Sequence, residues 1–340
     1  MPSRTVVAVI TLAVVHALFT PASPLFAQDT KVRTGFPESP RPAVRLASEI
    51  QVEIVELRRR LTAATEAKDI HAQAVLLNRI GALYYTHADA LNALAAFTQT
   101  LALVRKLHQP AGEATALCDI AASHFALGHS ENALDGYKQA LPLWRAAGDR
   151  AHEAATLGDI AEVFRVLGDS DEALKFNQQS LPLHIEAGNR SGEAAVLNNI
   201  GLIYFARHDK KRALDYFNRA MTVYISLRNL PGEATTFNNI GGVYNQFGDR
   251  HKAVELFNSA LPLFREIGDQ KSEANTLNNL GLAYANVGDV DRALASFNQA
   301  LFAYRESGDQ AGFNSATRNV RMLYANPRYR AVLEASNPAN

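Results

Sequence analysis

From about Leu46 onward the same residue types return every forty positions. Glu113, Glu153, Glu193, Glu233 and Glu273 form one column; Ile80, Ile120, Ile160, Ile200, Ile240 and Leu280 form a second. Ala93, Ala133, Ala173, Ala213, Ala253 and Ala293 form a third. The register holds without insertion through the frames 74–113, 114–153, 154–193, 194–233, 234–273 and 274–313. A fixed period of this length constrains the chain to a stacked array, because one unit alone cannot bury its apolar face. A weaker frame comes first. Leu57, Leu61 and Asp69 align with Phe97, Leu101 and Gln109, which predicts one long helix around 43–67 in an N-terminal half-repeat, 43–73.

Each frame reads as two helices. In 234–273, Phe237, Ile240, Gly241 and Tyr244 have helical spacing, then Ala253, Phe257, Ala260, Leu261 and Phe264. Gly248 and Gly268 end the two helices, and Asp249 and Asp269 cap the helices that follow. The Gly-Asp pair recurs at Gly148-Asp149, Gly168-Asp169, Gly288-Asp289 and Gly308-Asp309, and Asp169 with Glu172 has the spacing of a capping box. Pro142, Pro182 and Pro262 recur inside second helices and point to a repeated bend. Val320 and Tyr324 keep the first-helix pattern, but Arg321 stands in the Gly column. Residues 314–325 therefore read as a capping helix, before a tail, 326–340.

Phe237, Ile240-Gly241, Tyr244, Ala253, Phe257 and Ala260 resemble the tetratricopeptide (TPR) repeat pattern; so do Leu197, Ile200-Gly201, Tyr204, Ala213, Phe217 and Ala220. The resemblance covers roughly Leu46 to Tyr324. It implies an all-α fold, a right-handed α-solenoid of stacked helix-turn-helix units over 43–325, with Gly241 and Ala253 as small residues where helices cross closely. The chain departs from the standard pattern in its forty-residue period and its lack of the terminal Pro. Long-helix arrays of this sort are similar to those of kinesin light chains, Pins-type polarity adaptors and bacterial proteins with a caspase-like CHAT domain. The segment from Gly232 to Gly241 looks most like the last group.

Composition narrows the function. Lys+Arg and Asp+Glu are both 34, so the basic excess needed for nucleic acid is absent. Cys118 is the single cysteine, which excludes an intramolecular disulfide and a Cys-based metal site. Arg4 followed by the apolar Thr5–Phe19 run, with Pro21 and Pro24 beyond, reads as a signal peptide, 1–27, too short for a comfortable membrane span. Cleavage falls after Ala27, with Ala22 the rival, and 28–42 is a flexible linker holding Pro37, Pro40 and Pro42. The mature chain is then periplasmic or extracellular, without a membrane span. Sequencing of the native N-terminus is expected to begin near Gln28; a protein retaining Met1 would refute export.

The Glu column lies in helix first turns, where it complements the macrodipole. The histidines lack a metal-ligand spacing, His124 replaces an aromatic in the Tyr84, Phe164, Tyr204 column, and neither a phosphate loop nor Gly-x-Ser-x-Gly occurs. An enzyme, a cofactor and a metal are not expected. The informative columns are polar. Asn78, Asn198, Asn238 and Asn278 form one, with Cys118 and Gly158 in its other places; Arg79, Asp119, Asp159, Asn199, Asn239 and Asn279 form the next. The TPR resemblance places both columns on the concave groove, and kinesin light chains use Asn there to hold a peptide backbone. An Asn amide offers a donor beside an acceptor and so pairs with one peptide unit. The alternative is that one Asn of each pair bonds a neighbouring helix. Asp119, Asp159 and Glu162 make the early repeats acidic, offset by Arg79 and Arg165, whereas Asn245, Gln246 and Asn286 extend the neutral amides. Tyr85, Phe125 and Phe205 add aromatic surface. The predicted function is an exported scaffold binding a peptide or extended protein segment, with the partner's identity and the oligomeric state left open. A reading from another class is the regulatory TPR part of a CHAT-type cysteine protease lacking its catalytic domain.

Overall fold

The computed structural model describes residues 43–326. The expected signal peptide, linker and tail beyond Asn326 lie outside the described residues. Among the described residues there are fourteen helices and no strand. In order these are α1 (Ala43–Glu66), α2 (Ile70–Thr86), α3 (Ala90–Lys106), α4 (Pro110–Ala126), α5 (Ser130–Ala147), α6 (Arg150–Val166) and α7 (Ser170–Glu186). Then follow α8 (Arg190–Ala206), α9 (Lys210–Leu227), α10 (Leu230–Gln246), α11 (Arg250–Ile267), α12 (Gln270–Val287), α13 (Val290–Glu306) and α14 (Gln310–Ala325). No helix among them is long and apolar enough to cross a membrane.

Two compact units divide the chain, one ending at Asn199 and the other beginning at Ile200, within α8. In the first unit α2 packs on α3, α4 on α5 and α6 on α7, and α3–α4 and α5–α6 contacts join the pairs. In the second unit α10 packs on α11 and α12 on α13, and the first helices of successive pairs, α10, α12 and α14, also touch. This consecutive pairing of helices is the α-solenoid arrangement.

Backbone chemistry sets the twenty-residue rhythm of the turns. Gly128, Gly148, Gly168, Gly188, Gly248, Gly268, Gly288 and Gly308 all have positive φ, and Lys68, Ala88, His108, His208 and Arg228 hold the same place in the remaining turns. At Gly148 the N–H donates to Arg145 O at 3.1 Å and the following Asp149 N–H donates to Trp144 O at 3.1 Å, so the turn closes orphan carbonyls as a Schellman motif. The next residue caps the following helix. Asp249 accepts from Lys252 N at 3.3 Å and Asp269 from Ser272 N at 3.0 Å, whereas Gln109 and His129 make no such bond. The box predicted at Asp169 is only half formed. Glu172 N donates to Asp169, but the Glu172 carboxylate accepts from Lys175 Nζ at 2.9 Å instead of reaching back. A β-carbon is strained at the left-handed φ of 60° at Ala88. Replacing Ala88 with Gly is therefore expected to raise stability by about 0.5–1 kcal/mol in urea unfolding, after the entropy of an unfolded glycine is subtracted. A loss of stability would contradict this.

The core repeats with the same economy. A β-carbon built on Gly81, Gly201 or Gly281 would lie 2.6 Å from the ring of Phe97, Phe217 or Phe297, and one on Gly241 would lie 2.8 Å from Phe257. The glycine thus admits a phenylalanine sixteen residues later, so Gly241 makes room for the Phe257 ring where α10 packs on α11. Pro142, Pro182 and Pro262 sit inside unbroken helices. The Glu column does more than meet a helix dipole. Glu113, Glu153 and Glu273 accept from Arg105, Arg145 and Arg265, in the last turn of the preceding helix, at 2.8, 2.7 and 2.6 Å. Burial alone would push the Glu153 carboxyl up, but its bonds to Arg145 and Arg150 outweigh that and hold it below the usual carboxylate range.

Candidate functional site

In the second unit, α10 carries Asn238, Gly242 and Asn245 at spacings of four and three, which places them on one helix face. On α12, Asn279, Leu282 and Asn286 share a face in the same way. These faces meet. Asn279 Nδ2 donates to Asn238 Oδ1 at 3.3 Å, and Asn286 Nδ2 donates to Asn245 Oδ1 at 3.1 Å. Asn319 Nδ2 on α14 repeats the contact with Asn278 Oδ1 at 2.9 Å. An amide of one repeat therefore clasps the residue forty-one positions later. The Thr276 hydroxyl, with one proton to give, lies 3.2 Å from Asn238 Oδ1 and 2.8 Å from Ser272 O.

Each clasp is one-sided. A carboxamide pair can form two N–H···O bonds, and here one forms. Asn238 Nδ2, Asn279 Oδ1, Asn245 Nδ2 and Asn286 Oδ1 keep no partner among the described residues. The first three of these side chains, with Phe205, Asn239, Gly242, Phe257 and Leu282, line a shallow cleft open to solvent. None of the lining residues is charged. Gly242 leaves the floor open, since a β-carbon there would meet only Phe205 Cζ, at 3.8 Å. The arrangement can pair with an amide and seat an uncharged group against the Phe205 ring.

The first unit is different in kind. Asn78 is half-buried and its Oδ1 is shielded from solvent without a hydrogen-bond partner. Asp119 occupies the place of the clasping donor, forty-one residues on, and an ionised carboxylate has no proton to give. Burial pushes the Asp119 carboxyl up to about 7, and burial and then Glu162 push Asp159 up to about 7. Asp159 is itself exposed to solvent, which screens its charge, whereas Asp119 is half-buried and carries the firmer shift. Neither carboxylate has a basic partner among the described residues. Arg79 is tied to Glu53 at 2.9 Å and Arg165 to Glu162 at 2.6 Å, so the expected offset of the acidic pair is spent elsewhere. Burial, then Asp159 and Asp119, raise Tyr85, which places its hydroxyl in the field of both carboxylates. Cys118 Sγ lies 3.5 Å from Thr156 Oγ1, and burial pushes its thiol up to about 12, which keeps it protonated.

A folded-state pKa raised from 3.8 to about 7 gives stability that is present below 3.8 and lost as pH rises through 7. The double variant Asp119→Asn, Asp159→Asn is therefore expected to melt above wild type at pH 8, and that advantage should shrink toward pH 5. Burial lowers His184 and His124, which acts in the opposite sense below 6.5 in both proteins and cancels in the comparison. An advantage independent of pH would contradict the assignment.

The predicted residues thus separate. Asn238 and Asn279 meet in the cleft, and Asn239 lines it. Asn278 faces Asn319. Asn198, Asn239 and Asn278 are buried, at 8%, 6% and 8% exposure. Asn199 is half-buried. Gly242, Leu282 and Asn319 were not among the predicted site residues; the offset of forty-one between Asn columns was the signal that could have found Asn319.

The tetratricopeptide repeat family model matches residues 152–226 and 232–306. Those two stretches read as tetratricopeptide repeats, and the fourteen helices among the described residues fit a TPR array. Solved structures show the same fold. BtubC from P. vanneervenii is 21% identical, over 65% of this chain and 92% of that one, with a TM-score of 0.56. Aspartyl phosphate phosphatase F from Bacillus subtilis is 16% identical, over 86% and 77%, with a TM-score of 0.60. A Rap protein complexed with Competence and Sporulation Factor is 14% identical, over 87% and 89%, with a TM-score of 0.60. No curated protein matches the chain in sequence.

Proposed function

We propose that this chain is an exported binding scaffold that takes a peptide, or an extended segment of a protein, against the first helices of its repeats. The observation that carries the reading is the pair of one-sided amide clasps at Asn238–Asn279 and Asn245–Asn286. Each leaves a donor and an acceptor, the two things a peptide unit pairs with. The cleft beside them is uncharged and has an aromatic wall, which suits a partner held by backbone bonds and apolar contact. The Rap protein complexed with Competence and Sporulation Factor shares this fold and supports the same kind of use. Export rests on Arg4 and the apolar run after it.

The test is to pan a library of random linear dodecapeptides against the protein beginning at Gln28. Peptides bound by wild type and released by Asn238→Asp with Asn245→Asp support the proposal. Recovery of no peptide that distinguishes the two proteins refutes it.

A further inference from the structure

The two clasps differ from an arbitrary pair of amides in spacing and in sense. Asn238 and Asn245 are seven residues apart on α10, and Asn279 and Asn286 are seven apart on α12. Seven residues of helix advance about 10.5 Å. In both clasps the unpaired donor, Nδ2, belongs to α10 and the unpaired acceptor, Oδ1, belongs to α12. A ligand lying along this seam must present two peptide units about 10 Å apart that face the same way.

Extended backbones differ on this point. Three residues of β-strand also span about 10 Å, but the strand repeats every two residues, so units three apart face opposite ways. A polyproline II helix repeats every three residues with a rise of about 3.1 Å, so its units three apart face the same way about 9.3 Å apart. Between the clasps Gly242 opens the floor near Phe205, Leu282 lines the same space, and no charged residue does.

We infer that the α10–α12 seam is a site for a polyproline II segment, bound along the helix axes, that seats one uncharged apolar side chain over Gly242. This rests on the peptide-binding reading and specifies its ligand. Side chains three apart on such a helix share an edge, so the ligand class is a proline-containing sequence with an apolar residue at every third position.

Fluorescence polarisation of fluorescein-labelled dodecapeptides tests this on the protein beginning at Gln28. The probe is four repeats of Pro-Leu-Ala; the controls are four repeats of Pro-Glu-Ala and six repeats of the strand-forming Thr-Val. Saturable binding of the probe, about tenfold or more tighter than either control, is expected. Gly242→Leu should weaken the probe about tenfold or more while helical content and melting stay near wild type, because the floor is open there. Equal or tighter binding of the Thr-Val peptide, or an unchanged affinity in a folded Gly242→Leu protein, overturns the inference. The peptide comparison stands by itself if that variant melts early. Failure of the probe alongside library peptides that depend on Asn238 and Asn245 defeats the polyproline II inference and leaves the scaffold reading standing. Failure of both kinds of peptide defeats both.

Discussion

Replacing Phe297 with Ala is expected to cost about 3–5 kcal/mol, the range for emptying a buried aromatic site. Phe297 is 1% exposed and lies over Gly281, between α12 and α13. The glycine supplies the other half of the argument. A β-carbon at Gly281 would stand 2.6 Å from the Phe297 ring, so Gly281→Ala should cost about 1–3 kcal/mol through overpacking. The two changes should not add. With the ring gone, the new methyl enters vacated space, so the double variant should be more stable than the sum of the single losses by about 1 kcal/mol or more. Repeat arrays need not unfold in one step, and hydrogen exchange across α12 and α13 reports the local loss directly. Strict additivity would show that Gly281 is not there to receive Phe297.

That contact was legible in the sequence as two columns, because a glycine and a phenylalanine return together. The Gly-Asp turns were legible for the same reason, since a left-handed residue and a helix cap each favour few residue types. Ala88 and His108 hide the same turn, because stacking of the neighbouring helices fixes a backbone that their own side chains disfavour. The early core also varies the theme. Asn177 stands in the Phe297 column, buried, and donates its amide to Ala173 O at 2.9 Å. The polar columns were harder still. An Asn column looks alike whether its amides meet solvent or one another, and the partner lies a whole repeat away. Asp119 could be counted as an acid, but its raised pKa depends on the helices packed around it.

Exchanging Asn238 and Asn245 for Asp separates the two roles that an amide clasp combines. Each asparagine accepts a hydrogen bond from α12 through Oδ1, and that acceptor survives in a carboxylate of nearly the same shape. A bond from Asn279 or Asn286 to a charged oxygen is stronger than one to an amide, so the seam should stay closed and the melting temperature near wild type. The unpaired Nδ2, by contrast, becomes a second negative oxygen. A peptide carbonyl that met a donor there now meets a repelling acceptor. An unmet buried group costs about 1–3 kcal/mol, so the pair should weaken peptide binding by about two orders of magnitude or more if the effects add. Changing Asn238 and Asn278 to Ala has the opposite signature. It removes the acceptors for Asn279 and Asn319, so melting should fall before any ligand is added. Calorimetry of the free proteins and titration with a library-derived peptide measure both quantities. Wild-type affinity in the Asp pair would mean that the unpaired amide edges do not grip the ligand. Normal melting in the Ala pair would mean that the clasps do not hold the repeats together.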